Sequence, residues 1–156
     1  MVDIKNPENT LLMETSKGSI IIEMRPDLAP NHVARIKEMV RDEFYDGIIF
    51  HRVIDGFMAQ TGCPEGTGTG GSGVHLDAEF SDEKHIRGTC SMARAADPNS
   101  ASSQFFICFD EAPWLNNQYS VWGQVIDGMD VVDTLEKGEP VPNPDNIISI
   151  RVASDS

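Results

Sequence analysis

The chain has 156 residues, 40% of them hydrophobic and 24% charged, which suits a single domain (residues 1 to 156) with a proper core. Asp and Glu total 25 against 12 Lys and Arg, so the formal net charge is −13 and the basic face that nucleic acid would require is missing. The charge reads as solubility, and no apolar run approaches the length of a membrane span.

The opening stretch, MVDIKNPENT, is polar and has no apolar h-region. No secretory leader is expected, and the cytoplasm is the expected location. Residues 11 to 24, LLMETSKGSIIIEM, read as two short strands joined at Ser16-Lys17-Gly18, with turn residues between β-branched flanks. Next, APNHVARIKEMVRDEF places Pro30 at a helix start and repeats Val33, Ile36, Val40 and Phe44 at helical spacing. The spacing predicts an amphipathic helix over 31 to 42. IIFHRVI (48 to 54) reads as a strand that Asp55-Gly56 breaks and MAQTG (58 to 62) resumes. Residues 62 to 78 form a loop rich in Gly, Thr and Ser. TCSMA, QFFICF and SVWGQVI are three further strand candidates. GMDVVDTLEKG reads as a second short helix with Val131, Val132 and Leu135 on one face and Gly138 as its stop. Pro140, Pro142 and Pro144 stiffen a loop before NIISIRVA, the last strand. Many short strands and two helices imply an all-β barrel or sandwich.

Several motifs point elsewhere and do not carry their chemistry. GTGTGGSG (66 to 73) contains a literal G-x-G-x-x-G, but no strand precedes it and no helix opens after it, so a tight loop is expected there and not a nucleotide site. His75, Asp77, Glu79, Glu83 and His85 match no ligand spacing, and no metal or other cofactor is expected. Cys63, Cys90 and Cys108 are odd in number and widely spaced, which predicts buried free thiols. Ser100, Ser102 and Ser103 lack the G-x-S-x-G elbow of a serine hydrolase.

Three blocks remain: FHRVIDGFMAQTG, SMARAADPNSASSQFFICF and PWLNNQYSVWGQVIDGMDVV. Together with the GTGGSG loop they resemble the cyclophilin-type peptidyl-prolyl isomerases from about residue 10 to 152. The resemblance implies an eight-stranded antiparallel barrel with one helix closing each end, and catalysis of cis/trans isomerisation at X-Pro bonds. That chemistry needs no nucleophile. Its barrier is amide resonance, about 18–20 kcal/mol, and its transition state is a twisted amide with a lone pair localised on the prolyl nitrogen.

Under the resemblance Arg52 is the catalytic residue, a fixed fork of donors that stays charged. Phe57, Met58, Phe106 and Leu115 match the seat of the proline ring. Phe105 and Phe106 must face opposite ways on one strand, so Phe106 toward the groove implies Phe105 toward the core. Gln60 and Gln104 match groups that hold substrate backbone or orient the arginine. Ala93, Arg94 and Ala95 match a segment offering backbone groups to the peptide, and Gly68 and Thr69 the loop beside the neighbouring subsite. Trp114 matches a groove-edge position that goes with binding of the macrocyclic inhibitor cyclosporin. Tyr119 stands where many eukaryotic relatives have histidine, Arg94 where they have asparagine, and the 95 to 104 loop is one residue longer. The implied partners are proline-containing peptides and unfolded or flexible clients, acted on by a monomer, with neither nucleic acid nor membrane involved.

Overall fold

The computed structural model describes residues 6–155, so the first five residues of the polar opening stretch, and Ser156, lie outside the described residues. Eight strands form one antiparallel sheet: β1 Thr10–Thr15, β2 Gly18–Met24, β3 Arg52–Ile54, β4 Met58–Thr61, β5 Thr89–Met92, β6 Phe105–Cys108, β7 Val121–Asp127 and β8 Ile147–Val152. Their order is β3-β4-β6-β5-β7-β2-β1-β8. The sheet curls until its two edges meet. Ile147 N–H donates to Ile48 O at 2.8 Å, Gly47 N–H to Ile147 O at 2.7 Å and Phe50 N–H to Asp145 O at 2.8 Å. These bonds choose barrel over sandwich, which periodicity alone left open.

They also explain why the strand expected over 48 to 54 is regular only at Arg52–Ile54. Its first half closes the barrel through an isolated bridge, Ile49 to Asn146, and not through a ladder. The β1–β2 hairpin turns where expected, with Thr15 paired to Gly18.

Helix α1, Pro30–Arg41, buries His32, Val33, Ile36, Met39 and Val40 on one face and packs against β8. Ala29 offers no side-chain cap. Glu79 substitutes from the long loop, its carboxylate accepting from the backbone N–H groups of His32 at 2.8 Å and Asn31 at 3.3 Å. Helix α2, Met129–Asp133, packs on β2 and is shorter than the 128 to 138 stretch suggested. Lys137 Nζ folds back on the carbonyls of Asp133 and Leu135 at 2.8 and 2.7 Å, satisfying them without a further helical turn.

The interior is one apolar cluster in which Tyr45, Phe105 and Trp122 meet edge to face, with centroids 5.5 and 5.3 Å apart. Cys63, Cys90 and Cys108 are all free and buried. No helix among the described residues is long and apolar enough to cross a membrane.

Candidate active site

Strand alternation builds the site on the outside of the barrel. Register pairs Arg52 with Gln60, Gln60 with Phe106 and Phe106 with Ser91, so these four residues form one row across β3, β4, β6 and β5. The next outward row pairs Ile54 with Met58 and Met58 with Cys108. The residues between them, Val53, Ala59 and Ile107, belong to the interior, as does Phe105 on the other side of Phe106. Phe105 therefore points into the core and Phe106 into a second, smaller apolar cluster with Met58, Cys108, Ala112 and Leu115, against which Phe57, Ala93 and Tyr119 pack.

A pocket opens over that cluster, lined by Arg52, Phe57, Met58, Gln60, Ala93, Arg94, Phe106, Leu115 and Tyr119. A second, larger hollow adjoins it. Gly68, Thr69, Ala95 and Gln104 line it with His75 and Ser102, and it shares Gln60, Ala93 and Arg94 with the first. Trp114 lines neither. It is 64% exposed, with its ring 5.7 Å from that of Phe57 at the groove margin.

A directed line of hydrogen bonds joins the two hollows. Arg52 Nη1 donates to Gln60 Oε1 at 3.2 Å, and Gln60 Nε2 to Gln104 Oε1 at 2.9 Å. Gln104 Nε2 then donates to the carbonyls of Gly68 and Gly70 at 2.9 and 2.8 Å. Arg52 Nε donates at 3.0 Å to Glu139. Two of the five guanidinium N–H groups are thus engaged, which leaves three for a ligand.

Arg94 is anchored differently. Its Nε and Nη2 donate to Gln118 O at 3.0 and 2.8 Å, Nη1 donates to Ala95 O at 2.9 Å, and the guanidinium lies 4.8 Å from the Tyr119 ring centroid. Arg94 and Tyr119, two of the three departures from the eukaryotic pattern, thus touch each other.

Beneath the pocket floor lies His85, 1% exposed and stacked on Phe106 with centroids 6.1 Å apart. Asn116 Oδ1 accepts from the His85 backbone N–H at 2.8 Å, and Nδ1 lies 3.1 Å from the same oxygen, so Nδ1 carries the proton. Nε2 then accepts from the Ser91 hydroxyl at 3.0 Å. Burial pushes the His85 pKa below its ordinary value, against the pull of Asn116, and keeps the ring neutral. His51, behind Arg52, is also pushed down, first by burial and then by the Arg52 charge. Burial acts to raise the Cys63 thiol, but the N–H groups of Gly70 and Gly68, each 3.3 Å from the sulfur, help hold it below its usual range and tie the glycine loop down.

The other motifs disperse. Glu79 caps α1, Glu83 pairs with Arg25 at 3.3 Å, and His85 is committed beneath the groove. Residues 66 to 73 contain no helix and wall the second hollow. Glu139, His85, Ser91 and Asn116 are site-forming residues that sequence reasoning missed. Only the stiff proline loop signalled a fixed position near Glu139, and nothing placed it against β3.

A family model described as cyclophilin type peptidyl-prolyl cis-trans isomerase/CLD matches residues 10–153. A probable peptidyl-prolyl cis-trans isomerase of Brucella suis is 50% identical over 168 residues, spanning 97% of this chain and 86% of the relative. Among solved structures, a cyclophilin from Hirschia baltica superposes with a TM-score of 0.90 at 34% identity, covering 97% of this chain and 76% of the other. A cyclophilin-type isomerase of Cryptosporidium parvum, crystallised in the presence of the dipeptide Ala-Pro, gives a TM-score of 0.86 at 31% identity, covering 92% of this chain and 98% of that one.

Proposed function

The chain belongs to the cyclophilin-type peptidyl-prolyl cis-trans isomerases, and from that premise we propose that it turns X-Pro bonds in the Arg52 groove by stabilising the twisted amide without covalent chemistry. The observation that carries this reading is the row Arg52–Gln60–Phe106, which sets a guanidinium beside an apolar seat of proline size. The proline ring packs among Phe57, Met58, Phe106, Leu115 and Tyr119. Twisting removes the nitrogen lone pair from conjugation, and an Arg52 N–H donates to it or holds the neighbouring carbonyl. A donor fixed in advance favours the twisted state over either planar one.

The adjoining hollow, with Gly68, Thr69, Ala95 and Gln104, receives the residue next along the peptide, and the backbone of 93 to 95 holds the chain. Substrates are then proline-containing segments of flexible or unfolded chains, bound by a monomer. Cyclosporin is an inhibitor of the same groove, with Trp114 at its margin. The dipeptide in the Cryptosporidium parvum crystals supports a proline peptide as ligand.

The test is an isomerisation assay on a short Ala-Pro-Phe peptide with wild type beside Arg52→Ala. Turnover is expected to fall by on the order of 100-fold, with peptide affinity changed far less, because the lost donor acts chiefly in the transition state. Slow exchange in both proteins with the peptide still bound would mean that the groove only recognises proline segments.

A further inference from the structure

We propose that Glu139 is a positioning residue for the isomerisation, holding the Arg52 guanidinium at the angle from which it serves the twisted amide. The inference rests on the role given to Arg52 above.

Arg52 stands on a strand of three residues at the edge of the ladder, and its side chain is 36% exposed. A long side chain in that setting samples many rotamers unless something fixes it. Gln60 holds one terminal nitrogen, Nη1, at 3.2 Å. One bond at the tip leaves the guanidinium plane free to turn about that contact. Glu139 Oε1, 3.0 Å from Nε, supplies the second point. Bonds at Nε and Nη1 fix a plane, and the remaining N–H groups are left unengaged on a side chain that lines the groove.

Glu139 is itself braced. Gly138 exchanges both backbone bonds with Val53, N–H to O at 2.8 Å and O to N–H at 2.9 Å. The Val141 N–H donates to His51 O at 3.2 Å. Residues 138 to 141 thus run beside β3 as an irregular extra rung, and Glu139 lies between two points tied to the residues on either side of Arg52. Asp145, at the end of the same loop, accepts from Ser16 Oγ at 2.7 Å and from the Glu136 N–H at 2.8 Å, which fixes the loop to the barrel. The carboxylate is 59% exposed, so solvent screens the pair and it contributes little to the stability of the fold. Its effect lies in geometry.

The decisive experiment measures kcat and KM on a proline peptide, together with a thermal midpoint, for wild type, Glu139→Ala, Glu139→Gln, Arg52→Ala and the double variant Glu139→Ala/Arg52→Ala. The Arg52 Nε–H signal is followed by NMR. Glu139→Ala is expected to lower kcat about two- to fivefold, the range an exposed pair supports, with KM and thermal midpoint unchanged. Its Arg52 Nε–H should exchange faster with solvent. Glu139→Gln, whose amide oxygen still accepts from Nε, should recover most of the rate. In the Arg52→Ala background, removing Glu139 should have no effect. A wild-type kcat in Glu139→Ala, while Arg52→Ala collapses, would overturn the inference and leave the Arg52 reading standing. A loss of equal size with and without Arg52 would make Glu139 merely structural and also overturn it. Full turnover in Arg52→Ala would remove the premise, and the positioning role with it.

Discussion

Arg94 stands in the groove wall but spends its charge on its own protein. Three of its nitrogens donate to the carbonyls of Gln118 and Ala95, and its plane covers Tyr119. It therefore ties the segment 93 to 95 to the turn that carries Tyr119. Arg94→Ala should loosen that wall and raise KM about three- to tenfold with kcat within about twofold, because what is lost is uniform binding to ground and transition states. A kcat that falls together with unchanged KM, read from saturation kinetics, would assign Arg94 to the transition state instead. Arg52 was legible because its whole block was. Arg94 and Tyr119 each stood out as a departure, yet their contact was not, since residues far apart in sequence meet only through β5 and the turn before β7. Glu139 was invisible for the same reason. An exposed glutamate between a glycine and a proline has no pattern that names its partner.

At the level of elements, alternation was the informative signal. It separated Phe105 from Phe106, and β6 does place one in the core and the other over the groove. It failed where residues serve two elements at once. Ile48, Ile49 and Phe50 look like the start of a strand, but their backbone joins the two edges of the sheet. The tail of α2 failed in another way, because a lysine reaching back replaced a helical turn. Gly62 marks a tight crossing of two backbone segments near the site. Its φ is +96°, and a Cβ there would fall on the Ser103 carbonyl oxygen and 2.8 Å from Gln104 Cα. Both the positive φ and the backbone contact resist a side chain. Gly62→Ala is expected to lower stability by about 2–4 kcal/mol in urea unfolding and to shift Gln104, weakening peptide binding as well. A stability change within about 0.5 kcal/mol would show that the crossing relaxes freely.

For the whole molecule, closure was legible only through the family resemblance and not through periodicity, since period-two patterns are alike in barrels and sandwiches. Asp145 is central to it. Its carbonyl receives the Phe50 N–H, and its buried carboxylate joins the β1–β2 turn at Ser16 to Glu136 in the segment after α2. Burial acts to raise its pKa, but the Glu136 N–H, the Ser16 hydroxyl and the Lys17 ammonium outweigh burial and hold it below the ordinary 3.8. A depressed carboxylate contributes stability that is whole above that ordinary value and is lost as pH falls through the lowered one. Asp145→Asn should therefore cost about 2 kcal/mol near neutrality, the worth of hydrogen bonds to a charged group, and the gap to wild type should narrow steadily below pH 3.8. A gap that stays constant in acid, measured by urea midpoints, would deny the carboxylate this part. The strands that close this barrel are written on both sides. Val53, Ala59 and Ile107 face the core, while Arg52 and Gln60, between or beside them, line the outer groove. Inheritance can act on one side without disturbing the other. A descendant that lost Arg52 and Gln60 would keep every interior contact these strands make, so in this architecture the fold can outlive its chemistry and pass on as a silent cradle for proline.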